Sequence, residues 1–176
     1  MGVNYKTIES WLSILEASYI VYTVQPYHKN YGKRVIKSPK VYFYDVGLLC
    51  YLLRINSVSE LETHFAYGQI FENFIITEIV KNSVNSRKNE QVYFWRDSNG
   101  NEVDAILDSG KHAEGIEIKA GQTFNGDMLK GLSQWIVLDP QKNTPTKLVY
   151  GGELQQKVQD HEVMNWKTFI GTLGSA

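Results

Sequence analysis

A chain of 176 residues, 43% apolar and 21% charged, is long enough for one ordinary domain or two small ones and has a normal globular composition. Its 18 Lys+Arg against 19 Asp+Glu leave a net charge of −1, so no global field draws it to nucleic acid or to an anionic membrane, and any such binding must come from a local patch. The single cysteine, Cys50, excludes an internal disulfide framework and a cysteine zinc cluster, and suits a reducing, cytoplasmic setting.

In chain order, NYKTIESWLSILEASYI carries apolar residues at 8, 11, 12 and 15, a helical spacing, with Asn4 placed as N-cap. IVYTVQP (20–26) is β-branched and alternating, a strand. HKNYGKRVIKSPK (28–40) then holds five Lys/Arg and no acid, and KVYFYD (40–45) reads as a second strand. Helix, strand, long basic loop and strand form the back half of a winged-helix module. DVGLLCYLLRI (45–55) is predicted to be a helix capped by Asp45. Its apolar run, 46–53, is far too short to span a bilayer, so no membrane partner is expected, and Cys50 within it reads as a small buried apolar group. NSVSELETHFAYG (56–68) is a polar connector with about one helical turn, and divides the chain into 1–63 and 64–176.

The second part opens on QIFENFIITEIVKNS, a strong helix. Three strands follow, QVYFWR (91–96), EVDAILD (102–108) and AEGIEIKA (113–120), with DSNGN and SG as hairpin turns between them. A helix over 126–137, a strand over 147–151 and a last helix around EVMNWKTFIGTL complete the order αβββαβα.

The second hairpin places charge where strands usually place apolar groups. A two-residue turn at Ser109–Gly110 sets Glu102 opposite Glu117 and Asp104 opposite Gly115. Alternation then gives Val103, Ala105, Leu107, Ile116 and Ile118 to the core face, and Glu102, Asp104, Glu117 and Lys119 to the other. Asp104 and Glu117 become diagonal neighbours with Cα atoms roughly 7–8 Å apart, close enough to lean toward one divalent cation, with Gly115 leaving room for it. Glu72 falls within the apolar arc of the preceding helix, where an unpaired carboxylate is costly and needs a cation or a donor; Glu78 competes for that role. An exposed sheet face carrying Glu and Lys is otherwise commonplace.

Glu72 on a helix, Asp104 on a strand and Glu117-Ile118-Lys119 on the next strand resemble the PD-(D/E)xK nuclease superfamily, with Val103 standing before Asp104 in place of the family's proline. The phrases KTIESWLSILEASYIVY, KSPKVYFYDVGLL, GQIFENFIITEIVK, YFWRDSNGNEVD and IEIKAG resemble the C-terminal domain of unknown function of prokaryotic AAA-type ATPases. The resemblance implies an α/β fold with a restriction-endonuclease-like αβββαβ core and a mixed sheet over 64–176, preceded by a partial winged-helix segment over 1–63. It implies that Asp104, Glu117, the carbonyl of Ile118 and Glu72 hold Mg²⁺ or Mn²⁺, and that Lys119 orients the attacking water or offsets charge on the phosphate. The implied activity is a metal-dependent DNA phosphodiesterase; a catalytically silent DNA-binding or oligomerisation module, or an inert fragment of a longer ATPase, is the alternative.

The sequence contains no GxxxxGK[ST] phosphate loop, so the ATPase is expected as a partner elsewhere on the same polypeptide, and a homo-oligomer is a further expectation. Lys29, Lys33, Arg34, Lys37 and Lys40 are the expected DNA-binding residues, as a wing against the phosphate backbone. His28, His64, His112 and His161 lack metal-ligand spacing and are expected at the surface. Trp95 reads as core, and Arg96 as a partner of phosphate or of Asp97.

Overall fold

Helices cover both faces of an eight-stranded mixed sheet in the computed structural model, which describes residues 4–27, 38–85, 90–138 and 144–174. The elements are α1 (Tyr5–Ala17), β1 (Val21–Pro26), β2 (Lys40–Phe43), α2 (Val46–Leu52), α3 (Val58–Thr63), α4 (Tyr67–Asn85), β3 (Gln91–Arg96), β4 (Glu102–Asp108), β5 (Ala113–Lys119), a 3-10 turn (Gly126–Leu129), α5 (Lys130–Leu138), β6 (Thr146–Tyr150), β7 (Gln156–Val158), β8 (His161–Asn165) and α6 (Trp166–Leu173). The sheet runs β2-β1-β3-β4-β5-β6-β8-β7. Pairing is parallel at β1/β3, β5/β6 and β6/β8 and antiparallel elsewhere. One sheet therefore crosses the connector, since β1 lies beside β3 at Gln25 and Pro26.

Local chemistry accounts for the helix starts. The side chain of Asn4 accepts from the Lys6 N–H at 3.2 Å, and that of Asp45 from the Leu48 N–H at 2.8 Å, each satisfying an end donor the helix leaves free. The polar connector holds α3, capped by Ser57. Among the described residues no helix is long and apolar enough to cross a membrane.

Two cores result, one on each face of the sheet. On the first, Phe71, Ile75, Ile76 and Ile79 of α4 and Phe169 of α6 pack on Phe94, Ala105, Ile116 and Ile118. On the second, Leu132 and Trp135 of α5 pack on Trp95, Val103, Ile106, Leu148 and Tyr150. Trp95 is core, as its sequence setting implied. By contrast α1 has the expected apolar spacing but buries none of its residues; Ile8, Trp11 and Ile14 are all exposed.

Several expectations are corrected. The helix placed around EVMNWKTFIGTL starts only at Trp166; its first residues belong to β8, which pairs with β6 and β7, so the order of the second part is αβββαβββα. The β4–β5 connection is a four-residue loop, not a two-residue turn: Asp108 faces Ala113, the Ser109 N–H donates to His112 O at 3.0 Å, and the Gly110 N–H donates to Asp108 Oδ1 at 2.8 Å with Gly110 at φ +82°. The register consequently moves by two residues, and Gly115 faces Ile106 instead of Asp104. A Cβ on Gly115 would stand 3.1 Å from Trp135 Cδ1, so this glycine makes room for an indole and not for an ion.

His161 is buried, not superficial, its ring between Thr146 Oγ1 (2.8 Å) and Ser133 Oγ (3.1 Å). Cys50 is only half-buried. Arg96 pairs with Glu102, its Nε 2.8 Å from Glu102 Oε2, while Asp97 accepts from the backbone N–H groups of Asn99 and Asn101 and closes its own turn.

Candidate functional site

Lys40, Glu72, Glu102, Asp104, Glu117 and Lys119 meet where β2, α4, β4 and β5 converge. Three local features bring them together. The first is a register shift between β3 and β4: Tyr93 faces Ile106 and Trp95 faces Val103, so Asp104 and Ala105 together stand opposite Phe94. Two residues against one is a bulge, which breaks the alternation and re-aims a side chain. Val103 thereby joins the α5-side core, and Asp104 turns toward β2 and α4 into a cleft of about 600 Å³ that Glu72, Glu102, Lys40 and Lys119 also line.

The second feature is Asn73. The Phe43 N–H donates to Asn73 Oδ1 at 2.8 Å and Asn73 Nδ2 donates to Phe43 O at 2.9 Å, so a buried side chain of α4 completes the edge of β2 as another strand would. Thr77, one turn on, donates to the same carbonyl at 3.1 Å. These bonds fix β2 against α4 and with it Lys40. The third feature is alternation within β2 itself, which gives Lys40 the face of buried Tyr42.

The contacts are dense. Lys40 Nζ lies 2.9 Å from Glu72 Oε1 and 3.5 Å from Asp104 Oδ1, closer still to Glu102 Oε1, and 5.4 Å from the centre of the Phe94 ring. The Tyr42 hydroxyl donates to Glu72 Oε1 at 2.6 Å. The Ile118 N–H donates to Asp104 Oδ2 at 2.9 Å, so Ile118 reaches the site through its amide. Lys119 Nζ contacts Glu117 Oε1 and lies 3.8 Å from Asp104 Oδ2. Glu117 and Asp104 are each 6% exposed, and Glu117 Oε2 is buried without a hydrogen-bond partner among the described residues. That oxygen lies toward α5, 3.2 Å from where a Cβ on Gly131 would stand.

Four carboxylates against Lys40, Lys119 and Arg96 leave the acids under strain. Burial, then the Glu72 carboxylate, pushes Asp104 up to about 6 against the pull of Lys40 and Lys119. Burial, then Asp104, pushes Glu117 up to about 8. Lys40 is penalised by burial, but Asp104, Glu72 and Glu102 outweigh that and raise it well above the ordinary lysine value. Burial and Glu72 likewise raise Tyr42.

A carboxyl whose folded value is raised binds more protons folded than unfolded, so stability falls as pH rises between the two values. Buried His161, lowered chiefly by burial, acts oppositely and only below its ordinary value of 6.5, which leaves pH 6.5–8 to Glu117. The metal-free protein is therefore expected to lose about 1–2 kcal/mol of unfolding free energy over that interval. Urea denaturation at a series of pH values reads this directly, and a flat or rising profile contradicts the burial of the charge.

Of the residues expected at the site, Glu72, Asp104, Glu117, Ile118 and Lys119 are brought together. Glu78 is not; it pairs with Lys81 on the same helix. Of the expected DNA-binding residues, Lys29, Lys33, Arg34 and Lys37 lie outside the described residues, and Lys40 sits in the carboxylate cluster. Among the described residues no three His, Cys, Asp or Glu side chains are arranged to hold a metal ion; the acids converge on ammonium groups. Sequence reasoning assigned Lys40 to DNA instead of to the carboxylates, and missed Tyr42 and Asn73. Their signals were the i, i+2 placement of Lys40 before Tyr42 on a strand, and the polar pair Asn73 and Thr77 at i, i+4 on an apolar helix.

Residues 67–169, more than half of the chain, match the family described as Domain of unknown function (DUF4143). The chain belongs to that family. Residues 1–59 match a second one, Domain of unknown function (DUF8612), so Lys40 lies in one match and the four carboxylates in the other. Two curated relatives, the uncharacterized proteins Rv2008c of Mycobacterium tuberculosis and Mb2031c of Mycobacterium bovis, are each 29% identical to this DUF4143 chain over 123 residues. The matched region is 70% of this chain and 27% of each relative, so the chain spans about a quarter of the length of the curated relatives it matches. No solved structure matches.

Proposed function

We propose that this DUF4143 chain carries the site of a metal-dependent phosphodiesterase acting on DNA, in a PD-(D/E)xK-like arrangement. The observation that carries the reading is the pair Asp104 and Glu117: two carboxylates on neighbouring strands, both almost fully buried and both in contact with the Lys119 ammonium. Buried carboxylates are expensive unless cations meet them, and an all-oxygen donor set suits Mg²⁺ or Mn²⁺. Asp104, Glu117 and Glu72 would hold the ion, with the Ile118 carbonyl as the remaining expected donor. When bound, the ion would supply Lewis acidity toward a phosphodiester and an acidified water.

The protein's own groups do the rest. Lys119, already spanning Asp104 and Glu117, would offset the charge that develops on the phosphate. The Ile118 N–H holds Asp104 in orientation, and Tyr42 does the same for Glu72. The matched region's quarter share of its relatives' length supports a module working beside a larger segment, for which an ATPase is our proposal. A silent DNA-binding module is the second reading, favoured by the lysines that already neutralise part of the acid cluster.

Nicking of supercoiled plasmid with Mg²⁺ or Mn²⁺ tests the proposal. Wild type is expected to nick only with metal, and Asp104→Asn and Lys119→Ala to lose at least about a hundredfold in rate. Nicking that both variants retain places the chemistry elsewhere. Duplex binding without nicking, unchanged in both variants, leaves the silent module.

A further inference from the structure

Lys40 opens an edge strand at the end of a basic run, yet its ammonium points inward among carboxylates from two other elements, Glu72 on α4 and Glu102 and Asp104 on β4. Resting on the phosphodiesterase reading above, we propose that the Lys40 ammonium and a divalent cation are alternative occupants of the cradle formed by Glu72, Glu102 and Asp104, so that Lys40 sets the affinity of the site for its metal. Glu102 thereby joins the cation-binding residues.

Charge and geometry carry the inference. One ammonium reaches oxygens of three different carboxylates, the ligand pattern of a cation and not of a simple ion pair. Lys40 is the positive charge common to all three carboxylates of the cradle; with Lys40 gone, a dication takes that place. The cradle does not depend on Lys40 for its shape. The Tyr42 hydroxyl keeps its bond to Glu72, the Arg96 Nε keeps Glu102, and the Ile118 N–H keeps Asp104.

Lys40 also has somewhere to go. It is the first residue of the outermost strand, its side chain is 21% exposed, and it lines the open cleft, so its four-carbon stem can swing outward while the backbone stays paired. The absence of a ready-made metal cage among the described residues follows from the same arrangement. The Lys40 ammonium occupies the space between the acids, which an ion can enter only when it leaves. An ammonium that leaves as the ion enters makes binding of the two mutually exclusive, and the cost of displacing one appears as weakened affinity for the other.

Calorimetric titration of Mn²⁺ into the full chain and into Lys40→Met tests this. Lys40→Met is expected to bind at least ten times more tightly than wild type, with a correspondingly larger rise in Tm on adding Mn²⁺. Binding by both proteins with equal or weaker affinity in Lys40→Met overturns the inference and leaves the phosphodiesterase reading standing. Heat from neither protein overturns both.

A second measurement needs no variant, should Lys40→Met fail to fold. Acetylation of Lys40 by acetic anhydride, followed by mass spectrometry in wild type, is expected to be several times faster with saturating Mn²⁺ than without. Bound Mn²⁺ with unchanged Lys40 acetylation shows that the ammonium stays in place, and the inference falls.

Discussion

Glu117→Gln is expected to raise stability at pH 8 by about 4 kcal/mol and to lower metal-dependent nicking about a thousandfold. The two effects have one cause. Glu117 is nearly fully buried, its Oε2 lacks a hydrogen-bond partner among the described residues, and burial with the neighbouring Asp104 lifts its pKa to about 8. At pH 8 much of the population must therefore bury a charge that the unfolded chain holds in water. Glutamine keeps the shape and removes the charge, while Lys119 retains Asp104. At pH 4, below the ordinary carboxylate value of 4.5, Glu117 is largely protonated folded and unfolded alike, and the advantage disappears. Urea midpoints at the two pH values, beside a nicking assay, check both halves. A variant less stable than wild type at pH 8 contradicts the account, since it means that the carboxylate is a net stabiliser. Gain of stability with loss of activity is the behaviour of groups kept for chemistry.

Gly131→Ala is expected to cost about 3 kcal/mol or more. A Cβ there would stand 2.0 Å from the carbonyl oxygen of Glu102 and 3.2 Å from Glu117 Oε2. The first neighbour is backbone in the middle of the sheet and cannot step aside, so α5 must lift. That movement unseats Leu132 and Trp135, both fully buried against β4 and its neighbours. Gly126→Ala is the control, because nothing lies within 4 Å of its added carbon, and it is expected to change stability by no more than about 0.5 kcal/mol. Chemical denaturation of the pair decides the matter: equal midpoints mean that α5 does not pack on β4 this closely.

Much of the fold was legible because its signals are local. Asn4 and Asp45 cap the helices they were expected to cap, and the three strands 91–119 follow from alternation and turn residues. The elements that escaped are set by tertiary pairing. HEVMN has too few residues to display a period, and it becomes a strand because β6 offers it an edge. His161 lies in a polar stretch, and nothing local announces that Thr146 and Ser133 will receive its ring.

The carboxylates were legible as a set, but their geometry was not. A short turn would have brought Glu117 level with Glu102; the loop closed by Ser109 and His112 moves it on by two residues. The bulge at Asp104 and Ala105 then turns Asp104 to the α4 side. No single residue there is unusual, so only the pairing of β3 with β4 reveals it. Lys40 was hidden differently. Among five basic residues in thirteen, composition says that the run is basic and not which member turns inward.

The site joins a lysine from the segment that matches one family to carboxylates from the segment that matches another. Exchange of either segment between proteins would hand its new companion a mismatched electrical load. Compatible pairs must thus change in step, a glutamate lost on one side being answered by a lysine lost on the other. A graft that ignored that accounting would meet its penalty in the cleft, however well the strands themselves aligned.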